Sequence, residues 1–250
     1  MAVYRSKGIV LRSIRYGEAD RILDLYTRDA GLISAIAKGI RRTKSRFGAR
    51  LEPLSCVDFV AYQGRSLDTV TQAETLRSFH GVRENLARFE AAAGMVGSVR
   101  ALSGGDEADR RVFNLLYNAL VTLEESDSAF ESVEAALGLK LSVLAGYAPQ
   151  LDACLSCETD LDTAERPLHF APEQGGVLCA GCRSQIGDAF PLAPGTLESV
   201  RALIETPVRE APLQAGPREN VLRVVRSHVL AHAPGNTLVG RGITGTRRPA

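Results

Sequence analysis

The chain has 250 residues, 45% hydrophobic and 24% charged, with 30 Lys and Arg against 29 Asp and Glu. This is ordinary globular composition with an almost neutral overall field, so attraction to polyanions through bulk charge is excluded and any such preference must come from charge placement. No window approaches 18 consecutive apolar residues and the start, MAVYRSKGIV, lacks the apolar h-region of a signal peptide, so neither a membrane span nor secretion is supported and a cytoplasmic location is expected.

The first 75 residues read as short strands: GIVLRSI, RILDLYT, LISAIAK, VDFVAYQ and LDTVTQAE are rich in β-branched and aromatic residues, with turn signals at YGEAD and RDAG. Five such runs predict a small barrel, because closure removes the edges that an open sheet of this size would have to protect. The OB-fold is the common five-stranded solution, with an SH3-like barrel as the alternative.

From Leu76 the period changes to three and four, through Phe79, Val82, Leu86, Phe89, Ala93 and Val96, and predicts one long amphipathic helix ending at Ser103, Gly104 and Gly105. Val112, Leu116, Leu120 and Leu123 mark a second helix. Ser128 with Glu131 forms a capping box for a third, which places Val133, Leu137, Leu141 and Leu144 on one face and stops at Gly146 and Pro149. GTLESVRALIE and PRENVLRVVRSHVLAH predict two more, the latter opened by Pro217. The whole is α+β, divided into residues 1–75, a helical domain over 76–150 and 189–234, a module over 151–188 between its parts, and a flexible basic tail over 235–250.

Cys154 and Cys157, then Cys179 and Cys182, give C-x2-C, twenty-one residues, C-x2-C, slightly longer than the usual gap of a zinc ribbon. Each pair sets two thiolates on one knuckle, and a hairpin through LHFAPEQGGVLC brings the knuckles together as a tetrahedral site for one Zn2+. Four protein ligands leave no open position, so the ion is structural and contributes folding free energy. A thioredoxin-like dithiol would need a βαβ pattern that is absent, and Cys56 stands alone. His169, between the pairs, is an ordinary strand residue when four cysteines are present. His228 and His232 have the i, i+4 spacing of a metal grip, but a solvated helix face accounts for them without one.

The stretch AKGIRRTKSRFGAR carries Lys38, Arg41, Arg42, Lys44, Arg46 and Arg50, and no acidic residue lies between Ala30 and Leu51. Such a cluster is a solvated surface, a partner of carboxylates elsewhere in the fold, or a phosphate-binding loop, and its place between the third and fourth strands of an OB barrel favours nucleic acid. Phe47 either stacks on bases or covers the barrel end. In the tail, Gly240, Gly242 and Gly245 satisfy G-x-G-x-x-G, yet no strand precedes them and too few residues follow for a helix, so a dinucleotide site is not expected. Arg241, Arg247 and Arg248 there are weak phosphate contacts at most. No hydrolase, P-loop or zincin motif occurs, so no catalytic residue is assigned.

The run from GIVLRSIRYGEADRILDLYT through SRFGARLEPLS, then AETLRSF, VLAGYAPQLDAC and the paired knuckles, resembles the bacterial RecO family of DNA-repair proteins over the chain up to about Pro234. The resemblance implies an N-terminal OB-fold, a helical domain interrupted by a zinc-ribbon-like module, and a recombination mediator without enzymatic turnover. It implies binding to single- and double-stranded DNA, annealing of complementary strands, and action with RecR to load RecA onto strands coated by the single-stranded-DNA-binding protein SSB, whose acidic C-terminal tail is a further partner. It carries DNA contacts over to Lys38, Arg41, Arg42, Lys44 and Arg46, with Arg50 beside them. The competing expectation is a protein–protein adaptor whose loop grips an acidic partner, with DNA contact secondary.

Overall fold

The computed structural model describes residues 2–45, 47–103, 108–211, 218–233 and 244–246. It is a mixed α+β fold: a five-stranded N-terminal sheet, then a helical part with a small sheet set into it.

Strand β1 (Val3–Tyr16) is long enough to serve two partners. Its first half pairs with β4 (Cys56–Tyr62) and its second half with β2 (Asp20–Thr27), with a register shift between Val10 and Arg12 where the strand passes from one to the other. β2 pairs with β3 (Gly31–Ala37), β3 with β5 (Asp68–Arg77) through a short parallel contact, and β5 with β4. Hydrogen-bonded neighbours therefore run β1–β2–β3–β5–β4 and back to β1.

Period-2 alternation sends neighbouring side chains into two different cores. Val10, Leu23, Leu25, Val57, Phe59 and Val70 meet among the strands, whereas Ile9, Leu11, Tyr26 and Cys56 pack with the helices. The continuous run Ile9, Val10, Leu11 is apolar because both of its faces are covered.

The single long helix expected from Leu76 is not formed. β5 extends to Arg77, Phe79 takes a left-handed backbone with φ 49°, and a short helix α1 (His80–Glu84) stops at Asn85. Asn85 is extended, and its side-chain oxygen accepts from the Arg88 N–H to open α2 (Leu86–Leu102). Leu76 and Leu86 are 47% and 72% exposed, so the apparent helical stripe strings together residues of a strand, a turn and two helices.

α3 (Arg110–Glu125) buries Val112, Leu116, Leu120 and Leu123 as its pattern requires, and Asp109 caps it by accepting from the Arg111 N–H at 2.7 Å. α4 (Phe130–Leu144) does not use the Ser128–Glu131 box: Ala129, left-handed at φ 59°, occupies the cap position and no side chain caps the helix. Nor is α4 amphipathic with one buried face. Val133, Leu137 and Leu141 are buried, but so are Glu134, Ala136, Gly138, Leu139 and Ser142, because α2, α3, α5 and α6 surround it. A helix apolar all round belongs at the centre.

α5 (Thr196–Glu205) and α6 (Arg218–His232) return to pack on α4. A Cβ added at Gly138 would stand 2.6 Å from Val225, so this glycine sets how closely α4 and α6 approach. Buried Glu134 accepts two hydrogen bonds from the Arg226 guanidinium, at 2.8 and 2.9 Å, and tethers the same pair of helices. Burial pushes its carboxyl up, and the Arg226 charge opposes that shift.

Between α4 and α5, strands β6 (His169–Ala171), β7 (Gly176–Leu178) and β8 (Phe190–Pro191) form a three-stranded sheet. β9 (Thr244–Thr246) pairs in parallel with Ser13–Arg15 of β1, so these three tail residues are strand rather than frayed chain. Gly104, Gly105, Pro217, Pro234, Gly240, Arg241, Gly242, Arg247 and Arg248 lie outside the described residues. No helix among the described residues is long and apolar enough to cross a membrane.

Candidate metal centre and candidate nucleic-acid interface

The two C-x2-C pairs occupy two turns held against each other by backbone hydrogen bonds. In the first, the Cys154 N–H donates to the Thr159 carbonyl at 2.9 Å and the Glu158 N–H to the Cys154 carbonyl at 3.0 Å, with Glu158 left-handed at φ 59°. In the second, Cys179 follows β7 and Cys182 lies in a 3-10 turn (Ala180–Gln185) whose N–H reaches back to the Cys179 carbonyl at 3.2 Å. The Leu155 N–H donates to Val177 at 2.9 Å and joins the first turn to the hairpin.

All four sulfurs then fall within 4.8 Å of one another, with Cys154 to Cys179 at 3.8 Å and Cys157 to Cys179 at 3.7 Å. A tetrahedron with metal–sulfur bonds of about 2.3 Å has edges of about 3.8 Å, so the residues present fit a metal ion. The backbone is already arranged for thiolates: the Cys179 N–H points at the Cys154 sulfur at 3.4 Å, and Ser156 and Cys157 N–H groups do the same. The four thiols are unequal. The Thr159 hydroxyl, followed by its N–H, draws Cys157 down to about 6, whereas sharing a hydrogen bond with Cys179 pushes Cys182 up to about 12. Four thiolates this close repel one another, and a divalent cation is the charge that balances them. Cys154, Cys179 and Cys182 are buried and Cys157 is exposed.

His169 is buried in β6 and stands outside the four-sulfur group, as a strand residue should. Cys56 is buried in the sheet, and burial raises its thiol to about 11, which makes it inert.

His228 is not on a solvated face. It is 1% exposed, its Nε2 donates to the Tyr147 carbonyl at 2.8 Å, and its ring meets Phe170 and His232. The hairpin turn fits beneath it because Gly175 has no side chain: a Cβ there would lie 3.2 Å from the His228 ring and 3.3 Å from that of His232. This pair joins α6 to the cysteine module rather than gripping a metal, and i, i+4 spacing alone could not distinguish the two.

Burial lowers His228 to about 4, with the neighbouring His232 acting in the same direction. The folded protein therefore favours the neutral ring. That contribution is complete above the unfolded value of 6.5 and is lost as pH falls to about 4, in total about 3 kcal/mol. Urea unfolding should show the parent protein losing about 2 kcal/mol more than a His228→Gln variant between pH 7 and pH 5. Equal losses would show that the ring does not titrate in that window.

The basic stretch forms a series of turns between β3 and β4. It is fastened to the β1–β2 turn: the Gly39 N–H donates to the Asp20 carboxylate at 2.7 Å, the Arg41 N–H to Ala19 at 2.9 Å, and the Arg41 guanidinium to the Glu18 carbonyl at 2.9 Å. Phe47 is buried among the strands beside Leu51, so it covers the strand core and is not a stacking residue. Lys38, Arg41, Arg42, Lys44 and Arg50 are exposed, and Arg46 lies outside the described residues.

Among the described residues, Lys38, Arg41, Arg42 and Lys44 form no ion pair with a carboxylate. Arginines elsewhere do: Arg5 with Asp58, Arg77 with Glu124, Arg100 with Asp24, Arg110 with Asp29 and Arg226 with Glu134. Asp20 is spent on the Gly39 backbone, and among the described residues no carboxylate pairs with Lys38, Arg41, Arg42 or Lys44.

Fold and sites thus define an α+β protein with a cationic loop on its N-terminal sheet and a four-cysteine group in its helical part. Residues 1–79 match the model of the Recombination protein O N terminal family, and residues 83–238 that of Recombination protein O C terminal. The chain is 64% identical to the DNA repair protein RecO of Rubrobacter xylanophilus over 94% of each chain. It is 38% identical to that of Bifidobacterium longum subsp. infantis over 89% of this chain and 90% of the relative, and 35% identical to that of Heliobacterium modesticaldum over 98% and 93%. The chain belongs to the RecO family of DNA repair proteins.

Proposed function

We propose that this family member is a non-enzymatic, cytoplasmic recombination mediator that holds DNA by its phosphates. It would bind single and double strands, anneal complementary ones, and act with RecR and the SSB tail to load RecA. The observation that carries this reading is the exposed group Lys38, Arg41, Arg42 and Lys44, which forms no ion pair with a carboxylate among the described residues. Such a loop meets phosphates and leaves base edges free, so a second strand can pair without sequence readout. The cyclic strand pairing supports an OB-type barrel over residues 1–75. The four-sulfur group supports one structural Zn2+ at Cys154, Cys157, Cys179 and Cys182, in a module that includes β6, β7 and β8 between α4 and α5.

The test is a salt-titrated binding series with labelled single-stranded and duplex DNA. If all six cations from Lys38 to Arg50 meet phosphates, the logarithmic slope on a single strand is about −4, and fewer contacts flatten it. Absence of binding at low salt, or a slope near zero, would overturn the reading. An acidic protein partner gripped by the same loop would be displaced by excess DNA.

A further inference from the structure

We infer that Tyr16 is a base-stacking platform that makes the cationic loop favour single-stranded over duplex DNA. This rests on the phosphate-binding reading of the loop. Tyr16 ends β1 and is 44% exposed, and among the described residues its side chain makes no hydrogen bond or ring contact. Its position ties it to the loop. Its cross-strand partner is Asp20, whose carboxylate accepts from the Gly39 N–H at the loop entry. The next residues, Glu18 and Ala19, supply the carbonyls that hold Arg41. Gly17, between Tyr16 and Glu18, faces open space, since a Cβ built on it would meet nothing within 4 Å.

Other aromatic residues lack this combination. Phe47 lies in the loop but is buried. Tyr62 is exposed at the opposite end of β1, across from Val3, and the Tyr147 ring rests against His232. Duplex bases are already stacked and paired, so an exposed ring gains only from bases that are free. Cations beside it attract the strand whatever its pairing, and the ring adds the discrimination.

The chain contains no tryptophan, so Tyr16→Trp introduces a single reporter. With the full chain at fixed salt, Tyr16→Ala should weaken binding to oligo-dT about tenfold and to a hairpin duplex less than twofold, with an unchanged salt slope. Tyr16→Phe should bind as the parent does, and Tyr16→Trp fluorescence should be quenched by oligo-dT and not by the duplex. Unchanged oligo-dT affinity in Tyr16→Ala, equal losses on both DNA forms, or a tryptophan indifferent to oligo-dT would overturn the inference while leaving the loop reading intact. Failure of the parent to bind either DNA would overturn the loop reading and this inference with it.

Discussion

Replacing Cys154 by serine is expected to abolish metal binding and lower the melting temperature more than any other single change at the cysteine group. Cys154 is buried, and its sulfur receives N–H groups from Ser156, Cys157 and Cys179. Those donors would face a neutral hydroxyl on a shorter side chain, and the cation would keep three ligands. A four-cysteine site of this type contributes on the order of 10 kcal/mol to small zinc domains, which is comparable with the whole stability of a typical protein. The effect should spread beyond the module, because Cys154, Cys179, Cys182, Phe170 and Val177 belong to the same apolar cluster as the helices. Elemental analysis and thermal melting of the variant check this, with Cys56→Ser, buried but outside the group, as the control that keeps its metal. One equivalent of metal and an unchanged melting temperature in Cys154→Ser would contradict a structural site.

The second large effect is expected from reversing Arg42 and Lys44 together to glutamate. Both are exposed, and neither pairs with a carboxylate among the described residues, so the change breaks no ion pair there. Each reversal removes an attraction of about 1 kcal/mol to a phosphate and adds a similar repulsion, so affinity should fall about thirtyfold per position at low salt. Loss of two phosphate contacts should also make the single-strand salt slope shallower by about 1.4. The loss should be the same for every DNA sequence. Arg41 is a less clean target, since its guanidinium also holds the Glu18 carbonyl and its replacement would loosen the loop. A folded double variant with unaltered affinity and slope would remove the loop from the DNA interface.

Much of this was legible in residue order. The strands announced themselves because alternation and turn residues act within a few positions, and the cysteine pairs because a C-x2-C knuckle is local geometry. The errors share one cause. The stripe from Leu76 to Leu86 mimicked a helix because periodicity ignores a left-handed Phe79 and an extended Asn85. The Ser128 box is not used because the chain enters α4 through Ala129 in a left-handed backbone, which a motif of side-chain types does not register. His228 reads as solvated from its spacing alone because what covers it, Tyr147, Phe170 and the Gly175 turn, is distant in sequence.

By itself, the sequence determined the five N-terminal strands, the two knuckles and a cationic stretch free of acidic residues, since each depends on neighbours along the chain. Tertiary structure alone decided that Phe47 is buried while Tyr16 is 44% exposed, and that Arg100 finds Asp24 while Arg42 and Lys44 pair with no acid among the described residues. The physical reason is that burial and neutralisation depend on groups contributed from anywhere in the chain. A cation's availability to DNA is set by which carboxylates the fold brings within reach of it.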